Sequence, residues 1–315
     1  MRGSYPVPGV GTNRYGGNTA CVEVRPADGT VIIIDAGTGI RKLGQALVAP
    51  APGGDVSPFA EGRGHSHLLI SHTHWDHIQG LPFFAPLYVP GNVVTIYGRQ
   101  REVRLGDIFA SQTRDPYFPV SLGDVGAEVV YRELIEGTHF FLGESSLGES
   151  VSVHCARLNH PYIAVGYRVD ADGGSVAYIC DTAPFDRIVL GDQFVPQSPD
   201  IDEPPGEADA AVLEAMRQGV VELCRDVDLV IYDTMFEMSE YRAFPHWGHS
   251  TPDHAVAIAQ EAGARAVALF HHHPRRDDEA QDAIVARTAE SAEILVLGAK
   301  EGLVLECHGA GIEER

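Results

Sequence analysis

The chain has 315 residues, with 23 Lys+Arg against 44 Asp+Glu, a formal net charge of −21, and 44% hydrophobic residues. That apolar share excludes a disordered chain, and the length is enough for a large core. The charge argues against an extended nucleic-acid surface or an anionic membrane surface, because phosphate attraction needs Lys and Arg. It leaves room for a small anionic substrate, since a bound metal reverses the sign locally.

The N-terminal stretch Met1-Arg2-Gly3-Ser4-Tyr5-Pro6 has no apolar core, so no secretory leader is expected there. The longest aliphatic run, Val31-Ile32-Ile33-Ile34, stops at Asp35, far short of the roughly 20 residues of a membrane-spanning helix. Five scattered cysteines (Cys21, Cys155, Cys180, Cys224, Cys307), odd in number and without a CxxC pair, suit free thiols in a reducing cytoplasm.

The early part of the chain predicts strands. Ala20–Arg25 and Thr30–Asp35 are joined by the turn signal Pro26-Ala27-Asp28-Gly29. Residues 47–64, rich in Pro, Gly and Ala, read as an exposed loop. His67–Ser71 is a short apolar strand that runs into a histidine cluster, and further strands are expected at Val93–Tyr97, Glu128–Arg132, Val151–Leu158, Ile163–Val169 and Val176–Cys180.

The later part alternates. Helical spacing over Ala208–Cys224 leads into a strand at Leu229–Tyr232. Thr251-Pro252-Asp253 is a helix start, with an N-cap Thr and Pro in the first turn, and that helix runs to Gly263. Then come a strand at Ala266–Phe270, a helix at Asp277–Ala289, and strands at Glu293–Leu297 and Leu303–Glu306. The pattern suggests two sheets with helices in one α/β domain over residues 1–315.

The chemical signal is Ser71-His72-Thr73-His74-Trp75-Asp76-His77, four potential metal ligands within six residues just past a strand. In an extended segment His72 and His74 point to the same side, and a turn at Trp75 brings Asp76 and His77 to a neighbouring point. One segment can thus feed two adjacent metal sites. Trp75 itself is expected to pack or to form a pocket wall.

This segment resembles the HxHxDH signature of the metallo-β-lactamase superfamily, and the likeness extends along most of the chain. Ile33-Ile34-Asp35-Ala36-Gly37 is similar to the strand whose terminal Asp supports the metal loop. Leu158-Asn159-His160-Pro161, Tyr178-Ile179-Cys180-Asp181-Thr182 and Phe270-His271-His272-His273-Pro274 resemble the later ligand motifs. The resemblance implies a four-layer αββα sandwich with two divalent metal ions. It assigns His72, His74 and His160 to one metal, Asp76, His77 and His271 to the other, and Asp181 as the bridge. His271 is preferred because it comes first after its strand, leaving His272 or His273 to contact substrate or give support. An all-imidazole and carboxylate set suits Zn²⁺, but also Mn²⁺ or Fe.

Two further motifs point within the superfamily. Gly17-Asn18-Thr19 resembles its phosphodiesterase branch, which makes Asn18 a candidate substrate contact beside His272. Gly248-His249-Ser250-Thr251 is similar to the motif of ribonuclease Z and its phosphodiesterase relatives. There the His stabilises the transition state or protonates the leaving group. His249 and Asp76 are therefore the candidate catalytic residues.

Ribonuclease Z grips tRNA with a basic arm between the bridging Asp and the last His motif. Here residues 184–227 carry ten acidic and three basic residues, which disfavours tRNA. The expected reaction is hydrolysis of a small phosphodiester, such as a cyclic nucleotide, a cyclic sugar phosphate or a dinucleotide, by a metal-bridging hydroxide. The alternatives are a carboxyl-centred hydrolase (lactone, thioester or β-lactam) and a non-hydrolytic or redox protein on the same scaffold.

Residues 99–127, with Arg101, Arg104 and Arg114, form either a lid over a nucleoside phosphate or an insertion packed on the core. A homodimer is expected by family analogy. His65, His67, His139, His154, His246, His254 and His308 show no partner pattern and receive no role.

Overall fold

The computed structural model describes residues 1–50, 53–142, 151–189, 205–309 and 311–315. The chain divides into two compact units, one of residues 18–135 and one of residues 1–17 with 136–315.

The 18–135 unit holds a five-stranded sheet in the order β1 (Val22–Val24), β2 (Val31–Ile34), β3 (His65–Leu69), β4 (Val93–Arg99), β5 (Glu128–Leu134). β1 runs antiparallel to β2, and the other pairs are parallel. All four residues of β2 are buried, as befits a strand covered on both faces. Parallel register pairs Ile34 with Leu69, so the loops that follow β2 and β3 leave from one edge of the sheet.

Among the described residues this unit has three α-helices, α1 (Ile40–Val48), α2 (a single turn, Trp75–Ile78) and α3 (Leu105–Gln112). Helix α1 has no counterpart in the predicted elements. Its buried residues Ile40, Gly44 and Leu47 recur at helical spacing, but the glycine dilutes the apolar signal. That glycine is a packing requirement, since a Cβ at Gly44 would lie 2.8 Å from the Phe84 ring.

The expected exposed loop at 47–64 is corrected in part. Leu47 belongs to α1, and Phe59 is buried in the core with Ile33, Leu68, Phe84 and Ile96. Asn92 ties the segment down by donating to the Phe59 carbonyl and accepting from the Gly64 amide. Residues 51–52 lie outside the described residues. Of the two readings of residues 99–127, the packed insertion fits α3, which buries Leu105 and Phe109 in the same core.

The other unit is built on a seven-stranded mixed sheet. In chain order its strands are β6 (His139–Leu142), β7 (Val151–Arg157), β8 (Val165–Ala171), β9 (Gly174–Ile179), β10 (Leu229–Asp233), β11 (Ala266–Phe270) and β12 (Leu295–Gly298). They lie side by side in that order, with β6 and β12 as the outer strands. β6 to β9 alternate in direction, while β9 to β12 run parallel. A separate hairpin pairs β13 (Leu305–Cys307) with β14 (Ile312–Glu314).

The helices of this unit are α4 (Glu207–Leu223), α5 (Met238–Ala243), α6 (Pro252–Glu261) and α7 (Asp278–Ser291). Helix α6 starts as its sequence dictates, with Thr251 Oγ1 accepting from the His254 amide and Pro252 in the first turn. Every residue of β10 and β11 is buried, and Val230, Tyr232, Val267 and Leu269 share a core with Val220 of α4 and Ala255 and Ile258 of α6. Of the acidic interval 184–227, residues 190–204 lie outside the described residues and 207–223 form α4. No helix among the described residues is long and apolar enough to cross a membrane.

Candidate metal centre and its supports

In the 18–135 unit the donors come from one loop. β3 ends at Leu69, and Ser71 and His72 follow it as buried residues. His74 is the extended N-cap of α2, whose single turn carries Asp76 and His77. This is the bend at Trp75 expected from the sequence. The Nε2 of His72 lies 3.1 Å from the Nδ1 of His74, and the Nε2 of His77 lies 3.4 Å from an Asp76 carboxylate oxygen.

Asp35, just past β2, holds this loop. Its carboxylate accepts from the Ser71 amide and hydroxyl, each at 2.8 Å, and meets the Nδ1 of His77 at 2.7 Å. With a carboxylate on Nδ1, His77 carries its proton there and keeps its lone pair on Nε2. Trp75 is 63% exposed, so the expectation that it packs in the core is corrected. Arg101 donates to Thr73 Oγ1 at 3.1 Å, which places a guanidinium on the loop between His72 and His74. Asn18 is half-buried beside Thr19, whose hydroxyl accepts from the Thr38 amide at 2.9 Å.

In the other unit the donors come from the ends of separate strands. β9, β10 and β11 run parallel and in register, so Asp181, Asp233 and His271 emerge at one sheet edge. His160 follows β7, which points the same way as β9. His271 Nε2 lies 3.3 Å from one oxygen of Asp181, while His160 Nε2 and His249 Nδ1 lie 3.9 and 3.7 Å from the other. Cys180 donates its thiol to Asp181 at 2.7 Å.

Three supports shape this edge. The Gly248 carbonyl meets His160 Nδ1 at 2.8 Å, which directs Nε2 toward Asp181. Gly248 has φ 81°, and a Cβ there would fall 2.3 Å from that same nitrogen, so the position demands glycine twice over. Gly3 packs on His271, where a Cβ would lie 2.6 Å from the ring. Arg2, fully buried, joins three segments by donating to the carbonyls of Gly16 and Arg276 and lying 3.5 Å from Asp278.

The residue that the sequence reading passed over is Asp233. Its carboxylate accepts from the Met235 amide, meets His249 Nδ1 at 2.9 Å and lies 3.8 Å from His271 Nδ1. A signal for it existed. Leu229–Tyr232 is an apolar strand ending in Asp, the pattern already read at Asp35 and Asp181.

The three consecutive histidines separate cleanly. His271 is the one beside Asp181. His272 is fully buried, with Nε2 on the Ala299 carbonyl at 2.8 Å and its ring edge-on to Tyr15. Burial holds its pKa well below the ordinary value, so the expectation that His272 contacts substrate is corrected: it is a neutral core residue that pins the strand end. His273 is half-buried and accepts from the Arg275 amide.

A family description, beta-lactamase superfamily domain, matches residues 30–272. The chain belongs to the metallo-β-lactamase superfamily. Within it, the chain is 28% identical over 242 residues to ribonuclease Z of Geobacillus kaustophilus, covering 70% of this chain and 74% of that one. Two solved structures share the fold. The metallo-β-lactamase fold protein YhfI from Bacillus subtilis has a TM-score of 0.62 at 16% identity, covering all of this chain and 96% of that one. A diphosphatase from the PhnP family has a TM-score of 0.58 at 19% identity, covering 97% and 94%.

The superfamily implies divalent metal, and the residues present fit it. Asp181 and His271, which the superfamily pattern makes ligands, are buried, with their ligand atoms within 4.8 Å of those of their supports Asp233 and His249. Two carboxylates and two imidazoles gathered away from water are costly to bury without a cation to balance them. All are nitrogen or oxygen donors of the kind that Zn²⁺, Mn²⁺ and Fe accept.

Proposed function

We propose that the protein is a two-metal hydrolase that cleaves a phosphodiester bond in a small substrate. The proposed ligands are those implied by the superfamily: His72, His74 and His160; Asp76, His77 and His271; and Asp181 between them. Bound divalent ions, Zn²⁺ first among them, supply Lewis acidity and an activated water at neutral pH. The rest of the chemistry falls to the chain's own side chains.

The observation that carries this reading is the His249–Asp233 pair. Asp233 fixes the tautomer of His249 by holding Nδ1, at 2.9 Å, so that Nε2 is the nitrogen that exchanges a proton. The ring is 7% exposed and stands 5.0 Å from the His271 ring and 5.5 Å from the His160 ring, centroid to centroid. A group so placed is suited to protonate the leaving oxygen of a phosphodiester, while the Asp233 carboxylate steadies the imidazolium before transfer. Arg101, hydrogen-bonded to Thr73 within the donor loop, supplies positive charge for a phosphate in a chain of net charge −21. That overall charge favours a small phosphodiester, such as a cyclic nucleotide or a dinucleotide, over a polynucleotide.

RNA is a second reading, favoured by the relatives named ribonuclease Z. Elemental analysis of protein purified without added metal, paired with hydrolysis of bis(p-nitrophenyl) phosphate, cyclic nucleotides and a tRNA precursor, decides between them. About two metals per chain with turnover of the small diesters supports the proposal. Cleavage of the precursor alone moves the substrate to RNA. Two metals with no turnover of any of these phosphodiesters overturns the phosphodiester reading.

A further inference from the structure

Histidines outside the donor loops carry a separate message. β6 and β7 are antiparallel, and their register sets His139 directly opposite His154. Directly opposed residues project from the same face of a sheet with their Cβ atoms about 5 Å apart. The two rings lie 3.9 Å apart, centroid to centroid, and only 7° from parallel. Both Nε2 atoms converge on one point, the hydroxyl of Ser152, at 2.9 Å from His139 and 3.2 Å from His154.

We propose that His139 and His154 form a surface site for one divalent transition-metal ion, held by two imidazole nitrogens across the β6–β7 pair. A hydroxyl has one hydrogen, so Ser152 satisfies one imidazole as donor and the other as acceptor. An ion on this point sits at about 2.0–2.1 Å from each nitrogen, reached when the hydroxyl rotates aside and the rings close in. His139 is exposed and His154 half-buried, so water completes the coordination. Imidazole donors select copper, nickel and zinc over calcium and magnesium, with Cu²⁺ the tightest.

Burial and the surrounding charges keep His154 available as a ligand. Arg168 lies directly opposite His154 on β8, and Asp170 lies opposite Ser152. Arg168 is itself engaged with both oxygens of Asp170. Burial first, then His139 and Arg168, hold His154 below its ordinary pKa against the opposing pull of Asp170. The imidazole is therefore neutral, with a lone pair to give, at neutral pH. Because β6 is an outer strand, an ion here clips the sheet edge to its neighbour. None of this depends on the hydrolase reading.

The test is equilibrium dialysis of the protein, with its resident metals in place, against micromolar Cu²⁺, followed by elemental analysis and electron paramagnetic resonance. Wild type is expected to take up one copper beyond its resident metals, with two-nitrogen hyperfine structure. His139→Gln and His154→Gln should each weaken that uptake at least tenfold while keeping resident metal content and circular dichroism unchanged. His139→Lys, which removes the ligand and adds a cation, should do the same. Copper uptake equal in wild type and all three variants overturns the site, as does copper that only replaces resident metal one for one.

Discussion

Between Ser71 and His77 the donors His72, His74, Asp76 and His77 come from consecutive residues, while His160, Asp181, Asp233, His249 and His271 are drawn from three strand ends and two loops spread over a hundred residues. The first group needs one extended segment, one helical turn and the single prop of Asp35. The second needs β9, β10 and β11 to hold their parallel register, because a slip of one residue would turn every strand-end side chain away. A local device is robust to distant change and exposed to single substitutions within it. A device built from register draws its rigidity from the core and is vulnerable wherever backbones meet closely.

The largest effect expected is from Asp181→Ala, which removes the carboxylate that His271, His249 and His160 surround. Metal content should fall and diester turnover should drop below detection, whereas His74→Ala should do the same from the local segment. Next is His249→Ala, with turnover reduced by about 10²–10⁴ and metal content intact. Full activity in that variant would remove His249 from the reaction.

Gly248→Ala probes the register-built group directly. Placing a Cβ at φ 81°, 2.3 Å from His160 Nδ1, should cost about 2 kcal/mol in denaturant unfolding and loosen metal binding. The props come after it. Asp35→Asn and Asp233→Asn should each weaken metal affinity or activity about 10–100-fold, as competition with a chelator would read. The comparison sharpens if Asp35→Asn acts on metal alone while Asp233→Asn also shifts the pH profile of turnover through His249.

The smallest effect concerns stability against pH. Burial holds His254 and His67 near pKa 4, against about 6.5 when unfolded. The folded state therefore refuses protons that the unfolded chain accepts, so stability is complete above pH 6.5 and is lost as the pH falls toward 4. Each shift corresponds to about 3 kcal/mol at most. His254→Asn should flatten the slope of unfolding free energy between pH 4 and 6.5, and an unchanged slope would place the linkage elsewhere.

Much of this was legible in advance because the relevant physics is local. The strands β4, β10 and β11 follow apolar runs, α6 follows its Thr-Pro start, and the His72–His77 loop follows from period-two alternation and a bend. Where reading failed, distant packing had overridden local pattern. Helix α1 contains a glycine explained by Phe84 and the Ala85 backbone packed against it, and Phe59 lies within a loop rich in Pro and Gly yet fills the core.

The sequence by itself determined the donor types, the loop that carries four of them and the strands that precede the rest, because side-chain chemistry and hydrophobic period need no third dimension. Tertiary structure alone decided that Asp233 holds His249 and that His139 meets His154, while it set His271, the histidine first after its strand, beside Asp181. Each of those is a matter of which backbones run side by side, and strand register is fixed by burial across the whole sheet rather than by any residue's neighbours in the chain.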